Sequence, residues 1–141
     1  MDSFATDYTS LILNGRAFKD FIAGDKIELN KLNPWSSRNY GENSVTINKR
    51  ADRKVTALVL RLVKNSDDDI YLNTQMEQDS IVIFNGSLVE NYIDENNVAS
   101  VSSYNLQVGS FAAQPAVVIS NTDGNNVMEY TIEFLSATRT V

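Results

Sequence analysis

Met128, Tyr130, Ile132 and Phe134 stand at every second position of "VMEYTIEF", with one polar residue between each pair. Strand side chains alternate between the two faces of a sheet, so this spacing specifies a strand with one buried face. A helix would need apolar positions every three to four residues instead. The same short patterning, cut by turn residues, runs along most of the chain. "YTSLILN" ends at Asn14-Gly15, the dipeptide that suits a type I′ hairpin because both central residues take positive φ. "RAFKDFI" follows with Phe18 and Ile22 as expected core residues, and Ala23-Gly24-Asp25 as a turn. "AGDKIELNKLN" then offers Ile27, Leu29 and Leu32 to the core. "VTALVLRLV" (55–63) is nearly continuous in apolar character and rich in β-branched residues. Such a run belongs in a sheet interior, with Arg61 reaching out of it.

Beyond residue 80, "IVIFNGSLVENYI" is expected to form a hairpin through Asn85-Gly86, and "VASVSSYNLQV" a further strand. "NTDGNN", with Asp123-Gly124, reads as a turn between "AAQPAVVIS" and the C-terminal strand. Asn and Asp beside Gly are what a tight turn needs, so calcium is not required to explain them.

One helix is predicted, over about 67–77. Ser66 stands at its N-cap and Asp69 three residues later, the capping-box spacing in an Asp variant. Leu72 and Met76 are one turn apart and share its buried face. Asp67, Asp68 and Asp69 raise the question of a cation site. Neighbours on a helix point roughly 100° apart and cannot converge on one ion. Ile70 and Leu72 also break the EF-hand pattern. Negative charge in a helix's first turn is favourable by about 0.3–1 kcal/mol per group, which accounts for the triplet. Its carboxylates are expected to be exposed.

The chain holds neither cysteine nor histidine. That removes disulfides, thiolate chemistry, the usual neutral-pH base and the commonest transition-metal ligand. No phosphate-binding glycine motif occurs, so no catalytic residue, cofactor or metal is assigned. At 141 residues and 43% apolar the chain is the size of one globular domain, residues 1–141. No apolar run approaches a membrane span, and "MDSFATDYTS" resembles no signal peptide, so the Asn85 glycosylation sequon carries no weight. The net charge of −6 is the reverse of what gripping DNA requires.

Residues 33–54 break the pattern. Lys49, Arg50, Arg53 and Lys54 fall within six residues, with Trp35, Arg38 and Tyr40 upstream, and only "SVTINK" reads as a strand. Arg, Trp and Tyr are typical anchors of protein interfaces. An acidic remainder points this basic arm toward a protein partner, with another copy of the chain as the candidate, rather than nucleic acid.

The order of features resembles the tail tube proteins of contractile-tailed bacteriophages, whose relatives include R-type pyocin and secretion-system tubes. The resemblance rests on "YTSLILNGRAF", on the "G-D-x-I-x-L" strand in "AGDKIEL", and on the polar arm. It rests above all on Val55, Leu58, Leu60, Ser66, Asp69 and Leu72 at the joint of central strand and helix, with register gaps of one or two residues. Arg16 and "NKRADRK" depart from a more glycine-rich family pattern. The resemblance implies a mostly β (α+β) fold: an antiparallel β-barrel or sandwich with one short flanking helix and a long polar arm loop. It implies a structural virion protein and no enzyme, assembled in the host cytoplasm as hexameric rings that stack into the inner tube of a phage tail. Its partners would be other copies of itself, the sheath, the baseplate and the tail terminator. Tape-measure protein and DNA would pass through without specific binding, and no membrane anchor is implied. Trp35, Arg38, Tyr40, Lys49, Arg50, Arg53 and Lys54 would then be inter-subunit contacts, with Ser66 and Asp67 to Asp69 on the sheath side. The rival reading is a monomeric β-sandwich that binds carbohydrate on a platform of Trp35, Tyr40 and Tyr104.

Overall fold

The computed structural model describes residues 7–22, 26–93, 95–115 and 126–141. Its elements in chain order are β1 (Asp7–Leu13), β2 (Arg16–Phe18), β3 (Ile27–Lys31), β4 (Ser36–Tyr40), β5 (Val45–Lys49) and β6 (Thr56–Val63). After these come α1 (Asp67–Met76), β7 (Phe84–Ile93), β8 (Ala99–Ala113) and β9 (Val127–Thr140). Seven strands form one sheet in the order β2-β1-β7-β8-β9-β6-β3, and β4 pairs with β5 alone. Each pairing is antiparallel. The fold is therefore β-rich with one short helix.

Alternation builds the core. Tyr130 and Ile132 of β9 face Leu60 and Leu58 of β6 across the ladder, and these face Ile27 and Leu29 of β3. Leu11 and Leu13 of β1, Leu88 of β7 and Leu106 of β8 join them in one buried cluster. The intervening residues turn outward. On that face Arg61 donates to Glu28 at 3.0 Å and to Glu129 at 3.1 Å, and Glu133 lies on the same face of β9. The β1–β2 turn has Asn14 at φ 51° and Gly15 at φ 79°, the two positive angles of the expected hairpin turn.

Among the described residues the ladder does not close into a barrel, but the sheet curls strongly. β2 lies at one end of the strand order and β6 next to the other end. Yet Phe21, three residues past Phe18, bridges to Leu62, and Val63 N–H donates to the Asp20 carbonyl at 2.9 Å. Three residues reach at most about 10 Å. The two ends of the sheet must therefore approach each other, with residues 19–22 stitched along the seam. Leu72 of α1 enters the core there, and Tyr71 meets Phe18 edge-on at 5.9 Å.

Three sequence expectations are corrected. Asn85-Gly86 lies inside β7 rather than at a turn. A Cβ on Gly86 would sit 1.8 Å from the Ile12 carbonyl oxygen, so glycine is there to admit β1. Asn85 accepts from the Val108 amide at 2.9 Å, holding a bulge in β8 where Val108 takes φ 55°. Leu32 is exposed rather than in the core, and Ile22 is only half-buried. The Ala23-Gly24-Asp25 turn and the Asp123-Gly124 turn lie outside the described residues.

Gly86→Ala therefore has no accommodating movement short of parting β1 from β7. Overpacking of this kind costs roughly 1–3 kcal/mol or more, and the urea midpoint should fall accordingly. An unchanged midpoint would contradict the close approach of β1 and β7.

Candidate functional site: the exposed hairpin and the aspartate clamp

The polar arm is a two-stranded hairpin, with "SSRNY" a strand as well as "VTINK". Ser36 pairs with Lys49, Arg38 with Ile47 and Tyr40 with Val45, and the turn is closed by Gly41 N–H on the Ser44 carbonyl at 2.7 Å. Period-two alternation then sorts the residues by face. Arg38, Tyr40, Val45, Ile47 and Lys49 share one side; Ser37, Asn39, Thr46 and Asn48 share the other. Tyr40 is 75% exposed, Ile47 56% and Val45 52%. An isolated hairpin is marginally stable in water, and an apolar face left open makes it more so. This one is tied at its base, where Arg50 N–H donates to the Trp35 carbonyl at 3.0 Å and Leu32 N–H to the Val55 carbonyl at 3.1 Å.

The seven residues expected to form one contact surface divide into two groups. Arg38, Tyr40 and Lys49 lie on the apolar side of the hairpin, and the Lys49 ammonium sits 5.7 Å from the Trp35 ring, itself 61% exposed. Arg50, Arg53 and Lys54 belong to the turn beneath. Arg50 grips Asp52 with two bonds, of 2.9 and 3.0 Å. Those bonds raise the Arg50 pKa, and the hydrogen bond from Arg50 lowers that of Asp52. Arg53 donates to the Arg50 carbonyl at 3.0 Å, and the Lys54 carbonyl accepts from Thr56 at 2.9 Å. Nearby, Lys31 donates to the Ala137 carbonyl at 2.8 Å; burial first, and Lys54 second, lower its pKa. Val45 and Ile47 share this exposed side and were not singled out from the sequence, though their alternation in "SVTINK" was the available signal.

Three adjacent aspartates take three different environments. Asp68 is buried: one carboxylate oxygen accepts from the amides of Lys19 at 2.7 Å and Asp20 at 2.8 Å, the other from Arg16 at 2.9 Å. The Asp68 amide returns a bond to the Asp20 carboxylate at 3.3 Å. The Arg16 guanidinium also lies 4.6 Å from the Tyr71 ring, so cation and helix face are held together. Asp69, also buried, accepts from the Tyr130 hydroxyl at 2.6 Å and the Asn65 amide at 2.8 Å, while its own amide bonds the Ser66 cap at 3.3 Å. Asp67 alone is exposed. The expectation of three exposed carboxylates is corrected for Asp68 and Asp69, because their lone pairs are taken up by backbone and side-chain donors. Among the described residues no group of three or more acidic side chains is arranged to hold a metal.

Tyr104 does not join Trp35 and Tyr40. It lines a cavity of about 360 Å³ in the curl of the sheet with Leu29, Leu88 and Glu90. The aromatic platform of the rival reading is not assembled. Among the described residues no helix is long and apolar enough to cross a membrane.

No protein-family model matches the sequence, and no curated protein matches it. Solved structures do resemble the fold. One is a chain of the "Cryo-EM structure of the anti-feeding prophage cap (AFP tube terminating cap)", with TM-score 0.57 and 12% identity over 94% of this chain and 87% of that one. Another belongs to the "Cryo-EM structure of the anti-feeding prophage (AFP) baseplate, 6-fold symmetrised", with TM-score 0.50 and 11% identity over 96% and 92%. At these identities the likeness is one of fold.

Asp68→Asn removes the charge from a buried acceptor of three bonds, and hydrogen bonds to charged groups are worth roughly 1.5–3 kcal/mol. Chemical denaturation should show a loss of that order, against less than about 1 kcal/mol for Asp67→Asn. Equal losses would contradict the clamp. Tyr130 yields a second test. Burial, and then the bond to Asp69, raise its pKa above the usual 10.0. The folded state thus keeps a proton that the unfolded state releases above pH 10, so this contribution is complete below pH 10 and declines as pH rises. The difference in stability between wild type and Tyr130→Phe should narrow above pH 10; a constant difference would contradict the assignment.

Proposed function

We propose that this chain is a structural subunit of a contractile tail or injection particle, specifically the inner tube protein, assembled in hexameric rings that stack into a conduit. The observation that carries the proposal is the hairpin, on which Tyr40, Val45 and Ile47 share one exposed side among the described residues. Residues 33–54 hold five basic and two acidic side chains, a net of +3, which leaves −9 on the remainder. A chain so divided attracts copies of itself in one orientation and repels them in others. The fold likeness to chains in a prophage cap and a baseplate, over nearly the whole chain, supports the same reading.

In the assembled tube the outward face of the sheet, with Glu28 and Glu129 around Arg61 and Glu133 further along β9, lines the bore. Phosphates within a Debye length of about 8–10 Å of those carboxylates are repelled, so DNA slides without sticking. Tape-measure protein passes through the same bore. The exposed side of α1, including Asp67 and Ile70, faces the sheath. Baseplate and tail-terminator proteins meet the two ends of the tube. The work is mechanical, done by a rigid and smooth wall, and no catalytic residue takes part. The subunit is assembled in the bacterial host and resides in the particle.

Wild-type protein should sediment as rings or tubes, and Arg38→Glu with Lys49→Glu should shift it to monomer with an unchanged circular dichroism spectrum. Sedimentation velocity checks this. Wild type that stays monomeric at high concentration, or assembles regardless of the charge reversal, would sink the proposal.

A further inference from the structure

A second surface is open on the opposite chemical terms to the hairpin. Past the end of α1 the chain runs without regular structure to β7, and with the end of β8 it walls a groove of about 460 Å³. Met76, Val82 and Phe111 form its apolar floor and sides. Ile81, on its lip, is 82% exposed. Asp79 stands at the rim and Glu77 caps the helix beside it. The last turn of α1 holds no basic residue, so the negative end of its dipole is not countered from within. The groove joins an apolar floor to glutamine and serine side chains and is negative at the edge.

We infer that this groove receives the Arg38–Tyr40–Ile47–Lys49 face of the β4–β5 hairpin from a second copy of the chain. The inference rests on the tube reading and names the surface where its subunits meet. Four observations identify the occupant. None of the groove's walls comes from residues 33–54 of the same copy. Among the described residues the two hairpin strands pair with each other alone, and Tyr40, Val45 and Ile47 on their apolar side are exposed. Tyr40, Val45 and Ile47 present an apolar strip flanked by two cations, against a trough with an apolar floor, polar amide and hydroxyl walls and the Asp79 carboxylate at its rim. The trough lies within the roughly 300–1,000 Å³ that seats large side chains or small ligands. Hairpin and groove are different patches of one chain, so the contact is heterologous. Repetition closes it into a ring or extends it as a filament, which a twofold contact cannot do.

The absence of native cysteine makes the test direct. Full-length Ile47→Cys and Ile81→Cys proteins are mixed at assembling concentration and oxidised, with Thr46→Cys, on the polar side of the hairpin, replacing Ile47→Cys as control. A disulfide needs Cβ atoms about 4 Å apart, so the Ile47 pairing should exceed the Thr46 control by about tenfold or more on a non-reducing gel. Mixing single variants restricts the product to links between copies. Particles that form while the two pairings link equally, or not at all, overturn this inference and leave the tube reading standing. Linking of Ile47→Cys to itself also overturns it, as does an Ile81→Cys thiol shielded from maleimide in the dispersed monomer, which would mean the chain covers its own groove. If no particles form, the tube reading fails and the inference fails with it.

Discussion

Asp68 is the constraint on which the rest of the architecture depends. Its carboxylate takes the amides of Lys19 and Asp20 and the guanidinium of Arg16. These residues carry the chain from β2, at one end of the sheet, to the edge of β6 near the other. The same aspartate sits in the first turn of α1, so one buried group fixes both the seam and the helix that covers it. Neither half would hold alone. A short edge strand such as β2 contributes little pairing, and an isolated helix of 10 residues is marginal in water. Leaving a buried donor or acceptor unsatisfied costs more than the average hydrogen bond yields, so the arrangement is close to all-or-none.

The clamp also explains why the hairpin can be so exposed. With Leu72 and the sheet's inner face forming the core, no residue of β4 or β5 belongs to the buried cluster. Their two faces differ sharply: Ser37, Asn39, Thr46 and Asn48 suit water, while Tyr40, Val45 and Ile47 do not. Evenly polar faces would have made the arm an ordinary solvated loop. Net charge follows the same division, positive on the arm and negative on the remainder of the chain. Specific self-association is the economical outcome of that pattern.

Much of the sheet was legible in the sequence because its signals are local. The alternation from Met128 to Phe134, the Asn14-Gly15 turn and the Ser66 cap each follow from neighbouring residues alone. Asn85-Gly86 misled because the same dipeptide serves a turn in one place and a close approach of β1 in another. The difference lies in Ile12, more than seventy positions away. The burial of Asp68 was hidden for the same reason, its partners lying 48 to 52 residues upstream. "SSRNY" carries no β-branched residue and few apolar ones, so β4 is a strand only because Val45 to Lys49 offers it a ladder. In the arm, residue types alone suggested interface chemistry. Which of them share a face required the register.

The central claim is that this chain builds a hollow, six-membered ring. Negative-stain electron microscopy of the purified wild-type protein at high concentration tests it most directly. The account predicts class averages with sixfold symmetry and a stain-filled centre, alone or stacked into tubes. A uniform field of particles of monomer size, unchanged by concentration, would contradict it.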